Sequence, residues 1–128
     1  MKLIHLVGNR PQFIKLAPFL QATAGTNIQN IIIHSGQHYD YQMSKIFFDD
    51  LKIPTPNYHL EAGGGSHTSQ TTRVMLGTEE ILNKEKTDLL VIYGDTNTTL
   101  AGALVAYKMN LPFAHVEAGL RENAWRPE

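Results

Sequence analysis

Apolar residues fall into short blocks separated by segments with helical periodicity. Leu3 to Val7, Ile28 to His34, Leu89 to Tyr93 and Leu111 to Val116 read as strands. The last two are almost unbroken apolar runs, which predicts burial on both faces, as in a parallel sheet. Between the first two, Phe13, Leu16, Ala17 and Leu20 recur at helical spacing behind Gly8-Asn9-Arg10-Pro11, where a proline suits a first helical turn. Pro18 is expected to kink that helix or end it early. Met43, Ile46, Phe47 and Leu51 mark a second helix that stops before an extended loop at Ile53-Pro54-Thr55-Pro56. After the flexible Gly63-Gly64-Gly65-Ser66, a third helix runs from about Ser69 to Glu85, with Thr71, Val74, Met75, Thr78 and Leu82 facing inward. A fourth spans Thr96 to Met109, its Ala101-Gly102-Ala103 stretch small enough to lie close on a sheet. Strand and helix alternate without internal repeat, so the fold class is α/β, a Rossmann-like parallel sheet with flanking helices.

The parallel reading places chemistry. Ligands of open α/β sheets bind beyond the carboxyl ends of the strands. Gly94-Asp95-Thr96-Asn97 follows one strand, and Glu117 with Arg121 follows another. Asp95 and Glu117 are therefore candidate working carboxylates, against the plainer reading that each only caps a following helix. Arg10 at the first turn and Lys15 one helical turn beyond Pro11 form a plausible diphosphate cradle near a helix amino terminus. The plainer reading makes Arg10 a turn residue and Lys15 a solvated one.

Composition removes several alternatives. At 128 residues the chain is read as one domain, with 11 Lys and Arg against 12 Asp and Glu and a net charge of −1. That balance gives no reason to expect nucleic acid or an anionic membrane as partner. Cysteine is absent, so thiolate metal sites and cysteine nucleophiles are excluded. The amino-terminal apolar run ends at Val7, too short for a signal sequence or membrane span, and a cytoplasmic location is the default expectation. A single Gly8 replaces the Gly-x-Gly-x-x-Gly of dinucleotide folds, and no phosphate-loop motif occurs, so no cofactor is expected. His34 and His38 straddle a strand end and a turn rather than one helix face, and no metal is expected there. His5, mid-strand, reads as a core residue.

Five strings taken together resemble one family. Gly8-Asn9-Arg10-Pro11-Gln12-Phe13-Ile14-Lys15-Leu16-Ala17-Pro18, Gly36-Gln37-His38, Gly94-Asp95-Thr96-Asn97-Thr98-Thr99, His115-Val116-Glu117-Ala118-Gly119-Leu120-Arg121 and Pro127-Glu128 are similar to the non-hydrolysing UDP-N-acetylglucosamine 2-epimerases. The resemblance implies one half of a glycosyltransferase-B-like architecture. Residues 1–128 would be an incomplete amino-terminal Rossmann-like domain, with a second domain absent from this chain and the fragment alone inactive. It implies a UDP-sugar substrate, a homodimer when full length, and elimination of UDP followed by re-addition with inversion at C2. Asp95, Glu117 and Glu128 match the family's carboxylates as catalytic groups. Arg10, Lys15, His115 and Arg121 match substrate-binding or supporting positions. Arg-Pro-Gln-Phe-Ile-Lys and Gly-Gln-His-Tyr-Asp also resemble epimerases of UDP-2,3-diacetamido-glucuronate. A UDP-sugar glycosyltransferase of the same architecture, or a non-catalytic binding module, are the other classes left open. Epimerisation without an acceptor, or UDP titration, separates them.

Overall fold

The computed structural model describes residues 1–36 and 41–119. Its elements in chain order are β1 Lys2–Val7, α1 Arg10–Thr23, β2 Gln29–His34, α2 Tyr41–Leu51, β3 Tyr58–His59, α3 His67–Glu85, β4 Leu89–Tyr93, α4 Asn97–Lys108 and β5 Phe113–Val116. The sheet has five strands in the order β3-β2-β1-β4-β5, and every pairing is parallel. The direction of winding reverses between β1 and β4.

Alternation along the strands sorts the core into two layers. Ile4, Leu6, Ile31, Ile33, Leu90 and Ile92 face α3 and α4, where Val74, Ile81, Leu82, Ala101, Val105 and Ala106 meet them. Val7, Ile32, Val91 and Tyr93 face the other way, onto Phe13, Leu16 and Ala17 of α1, with Phe47, Phe48 and Leu51 of α2 alongside. Gly102 lets α4 lie close on the sheet, since a Cβ there would come within 2.7 Å of Ile92 and 2.9 Å of Leu6. Among the described residues no helix is long and apolar enough to cross a membrane.

Four sequence expectations change. Helix α1 continues five residues past Pro18. Pro18 and Ile14, whose carbonyl it would have served, both lie on the exposed face, where water can take the missing bond. Helix α3 starts at His67 rather than Ser69, because the Ser66 side chain caps it by accepting the Ser69 N–H at 3.1 Å. The proline loop ends in a short strand, β3. Asn57 prepares it: its N–H donates to Ile32 O at 2.9 Å and its Oδ1 accepts the Ile32 N–H at 2.8 Å, so a side chain begins the ladder before the backbone can. Finally, β5 is not buried on both faces. Among the described residues it is the last strand of the sheet, with Phe113, Ala114 and His115 exposed, and it starts at Phe113 rather than Leu111, whose N–H closes the end of α4 on Ala106 O at 2.9 Å.

Candidate functional site

The carboxyl ends of β1, β4 and β5 bring three of the sequence motifs to one edge. Register makes this firm: Leu6 pairs with Ile92 and Tyr93 with Val116, so Gly8, Gly94 and Glu117 each stand one or two residues beyond paired positions. The Gly94 N–H closes the last rung on Val116 O at 3.1 Å. Helices α1 and α4 start at this edge, on either side of the point where the sheet reverses, and the positive ends of their dipoles favour an anion there.

Each helix start has a local cause. The Asn9 side chain accepts the Gln12 N–H at 3.1 Å and caps α1. At α4 the Thr96 N–H donates to Thr99 Oγ1 at 3.1 Å. Gly94 turns the chain at φ 71°, a conformation that favours glycine. Gly8 is different. Its position is set by space, since a Cβ there would fall 2.5 Å from Ser35 Oγ and 2.7 Å from Thr98 Oγ1.

Asp95 is exposed just beyond β4, without a hydrogen-bond or ion-pair partner among the described residues. Glu117 is the first residue past β5, at φ 70°, and its carboxylate forms an ion pair with the Lys15 ammonium of α1. Lys15, expected with Arg10 at an anion, therefore reaches across to the second carboxylate. Arg10 opens α1, is exposed, and lays its guanidinium over the Phe47 ring, 5.5 Å from the centroid. His115 Nε2 lies 2.6 Å from Gly94 O. A carbonyl only accepts, so that nitrogen carries the proton and ties the β5 motif to the Gly94 turn. Arg121, Glu128, Gln37 and His38 lie outside the described residues.

The sequence does not show which partners the polar groups buried beneath this edge find. Gln12 is 2% exposed and links Gly8, Tyr93 and Thr96. Thr98 Oγ1 donates to Ser35 Oγ at 2.8 Å. His34 stacks on His59 with centroids 5.5 Å apart and accepts the Gly36 N–H on Nδ1. Burial, and then the neighbouring His59, push the His34 pKa down to about 4. His5 is core, as expected, held by Tyr93 Oη and Asn30 Oδ1, each at 2.8 Å. Burial lowers its pKa and raises that of Tyr93. With Nε2–H donating to Asn30, His5 Nδ1 accepts the Tyr93 hydroxyl, and both residues are neutral. Among the described residues no cluster of three or more His, Asp or Glu side chains could hold a metal ion.

An exposed carboxylate, a second carboxylate beside an ammonium, a surface arginine and two helix amino termini thus share one edge. Such a set can bind an anionic ligand and move a proton beside it. A family profile described as UDP-N-acetylglucosamine 2-epimerase matches residues 21–127. The chain belongs to that family. A UDP-N-acetylglucosamine 2-epimerase homolog of Methanococcus maripaludis is 59% identical over 94% of this chain and 34% of its own length. The UDP-2,3-diacetamido-2,3-dideoxy-D-glucuronate 2-epimerase of Pseudomonas aeruginosa is 47% identical over 100% of this chain and 37% of its own. The crystal structure of the Methanocaldococcus jannaschii UDP-GlcNAc 2-epimerase, in complex with UDP-GlcNAc and UDP, superposes with TM-score 0.89 at 52% identity, over 94% of this chain and 33% of that one. The chain thus spans about a third of the length of these 2-epimerases, and its sheet is a Rossmann-like unit of their glycosyltransferase-B-type architecture.

Proposed function

We propose that this chain forms one wall of a nucleotide-sugar cleft in an enzyme that interconverts UDP-N-acetylglucosamine and UDP-N-acetylmannosamine. The observation that carries the reading is the convergence of Asp95, the Glu117–Lys15 pair and Arg10 at the carboxyl edge of the sheet. The M. jannaschii relative, similar over 94% of the chain, is described in complex with UDP-GlcNAc and UDP.

In the proposed reaction a carboxylate removes the C2 proton while the C1–O bond to UDP breaks, leaving a C1–C2 double bond. UDP then adds back to C1 as C2 takes a proton on the opposite face. All electrons stay within the sugar and the diphosphate, so the chemistry calls for no redox carrier. The C2–H is not acidified by a carbonyl, so proton removal and departure of UDP must be coupled, which is why cation and carboxylate share the edge. Asp95 and Glu117 are assigned to the sugar ring, Glu128 to a further acid or base step, Arg10 to the diphosphate, and His115 and Arg121 to support of the Glu117 loop. The second Rossmann-like domain, on the part of the relatives' length that this chain does not span, is proposed to close the cleft. A cytoplasmic homodimer is proposed for the full-length protein, and the exposed Leu100, Leu104 and Tyr107 along α4 suit a subunit contact.

Identity of 47% to the P. aeruginosa protein over the whole chain supports a second reading, in which the sugar is UDP-2,3-diacetamido-glucuronate. Turnover of each sugar nucleotide by the full-length protein in deuterium oxide, followed by proton NMR, separates the two. The substrate gains deuterium at C2 and inverts there. Inversion without label in both cases would refute elimination and re-addition.

A further inference from the structure

Gln12 lies on the apolar face of α1, enclosed by protein, yet its side-chain amide bonds outside its own helix. Its Oε1 accepts the Gly8 N–H at 2.7 Å. Its Nε2 donates to Tyr93 O at 2.8 Å and to Thr96 Oγ1 at 3.0 Å. The amide has one orientation that works, because turning it over would set an N–H against the Gly8 N–H and an oxygen against the Tyr93 carbonyl. Gly8 leads into Arg10, and Tyr93 and Thr96 bracket Asp95. One side chain therefore spans the place where the sheet reverses and fastens together the two loops that carry the cation and the carboxylate.

We propose that Gln12 is a positioning residue that fixes the Arg10 turn against the Asp95 loop, setting the separation between the departing diphosphate and the base near C2. The inference rests on the assignment of Arg10 and Asp95 to those roles. The alternative is a buried amide that only adds stability. Polar groups so enclosed are bonded in any stable fold; what distinguishes Gln12 is that its three shortest bonds go to Gly8 and to the two residues that bracket Asp95, with a longer contact of 3.5 Å from Nε2 to Thr99 Oγ1 in the first turn of α4. Coupled proton loss and leaving-group departure are sensitive to that spacing, and a misplacement near 1 Å can lower a rate by about 10²-fold.

The test is Gln12→Met in the full-length protein, which keeps the volume and removes both donor and acceptor. The expected result is kcat lowered about 10- to 100-fold with KM for the UDP-sugar changed less than about threefold, the signature of an interaction used in the transition state. Circular dichroism confirms that the fold is retained. Gln12→Glu is the second variant and serves if Gln12→Met does not fold. Its carboxyl can replace the Gln12 amide only when protonated, with one oxygen accepting from Gly8 and an O–H donating to Tyr93 O. Its kcat relative to wild type should therefore rise as pH falls. A folded Gln12→Met enzyme with kcat within about threefold of wild type would overturn the proposal, and so would a Gln12→Glu ratio flat with pH. Asp95→Asn assayed in parallel separates the two levels: if it too leaves kcat unchanged, the assignment of the site fails, whereas its loss beside an active Gln12→Met removes only the positioning role.

Discussion

Gly8→Ala is the perturbation whose outcome the geometry fixes most tightly. Gly8 is not among the residues with positive φ, so alanine is compatible with its backbone and the whole effect comes from space. The added methyl would fall 2.5 Å from Ser35 Oγ, 2.7 Å from Thr98 Oγ1 and 3.3 Å from Thr98 Cβ. The two hydroxyls are bonded to each other at 2.8 Å, and the Ser35 N–H is pinned to Val7 O at 2.8 Å, so the Ser35 backbone is held and its Oγ moves away only by turning about χ1, at the expense of its bond to Thr98. Relief requires either opening the Ser35–Thr98 bond or displacing α4. Overpacking costs about 1–3 kcal/mol and a buried hydroxyl that loses a partner about 1–3, so a loss of about 2–6 kcal/mol is expected.

Urea denaturation of the full-length protein, followed by circular dichroism, gives that figure from the shift in midpoint. A second variant isolates the cause. Ser35→Ala removes the nearest clashing atom, so it should be less damaging in the Gly8→Ala background than in wild type, with a coupling energy of about 1 kcal/mol. Stability of Gly8→Ala within about 0.5 kcal/mol of wild type, or strict additivity of the pair, would refute the reasoning.

Asp95→Asn and Glu117→Gln keep shape but remove a basic oxygen, and each should slow epimerisation about 10²- to 10⁴-fold in an NMR assay of the full-length protein; full activity of either would remove it from the proton-transfer step. Arg10→Ala should weaken UDP binding by about 1.5–3 kcal/mol by calorimetry, the scale of a charged hydrogen bond, and an unchanged dissociation constant would leave Arg10 as a partner of Phe47 alone. His34 has its pKa pushed from 6.5 to about 4 in the fold, so the unfolded chain takes up the proton first as pH falls. Its contribution is present above about pH 6.5 and declines toward pH 4 at about 1.4 kcal/mol per unit. Urea denaturation between pH 7 and 5 should show a shallower decline for His34→Gln, and parallel curves would exclude His34 as the source.

The sheet edge was legible because apolar runs ending in Gly-Asp and in Val-Glu carry both the strand and its exit in adjacent residues. What escaped depends on contacts distant in sequence. Asn57 completes a ladder with Ile32, 25 residues away, and no local pattern marks a two-residue strand such as β3. Pro18 does not end α1, because it lies on the face that meets water, and which face that is depends on how the helix docks on the sheet. Gln12 left a signal: it occupies the same helical stripe as Leu16 and Leu20, where a polar residue needs a buried partner. Which partner could not be read, because Tyr93 and Thr96 arrive at it only through the parallel pairing of β1 with β4.

The Lys15–Glu117 pair changes how charge is shared in the proposed cleft. With both cations at the diphosphate, Asp95 and Glu117 would face the departing UDP with no positive charge of their own, and an ionised base beside a leaving dianion is disfavoured by repulsion. With Lys15 drawn to Glu117, one cation stays with one carboxylate while Arg10 remains for the phosphates. Glu117 also holds φ 70°, where a residue with a Cβ is strained by about 1–2 kcal/mol. That backbone is retained by the Gly94 N–H on Val116 O and the ammonium of Lys15 on the carboxylate, contacts that reach Glu117 from β4 and α1. Positive φ is shared with Lys52, Glu61, Lys86 and Asn110; what sets Glu117 apart is the ion pair to Lys15, and in the proposed reaction that pair would aim its carboxylate at one face of C2.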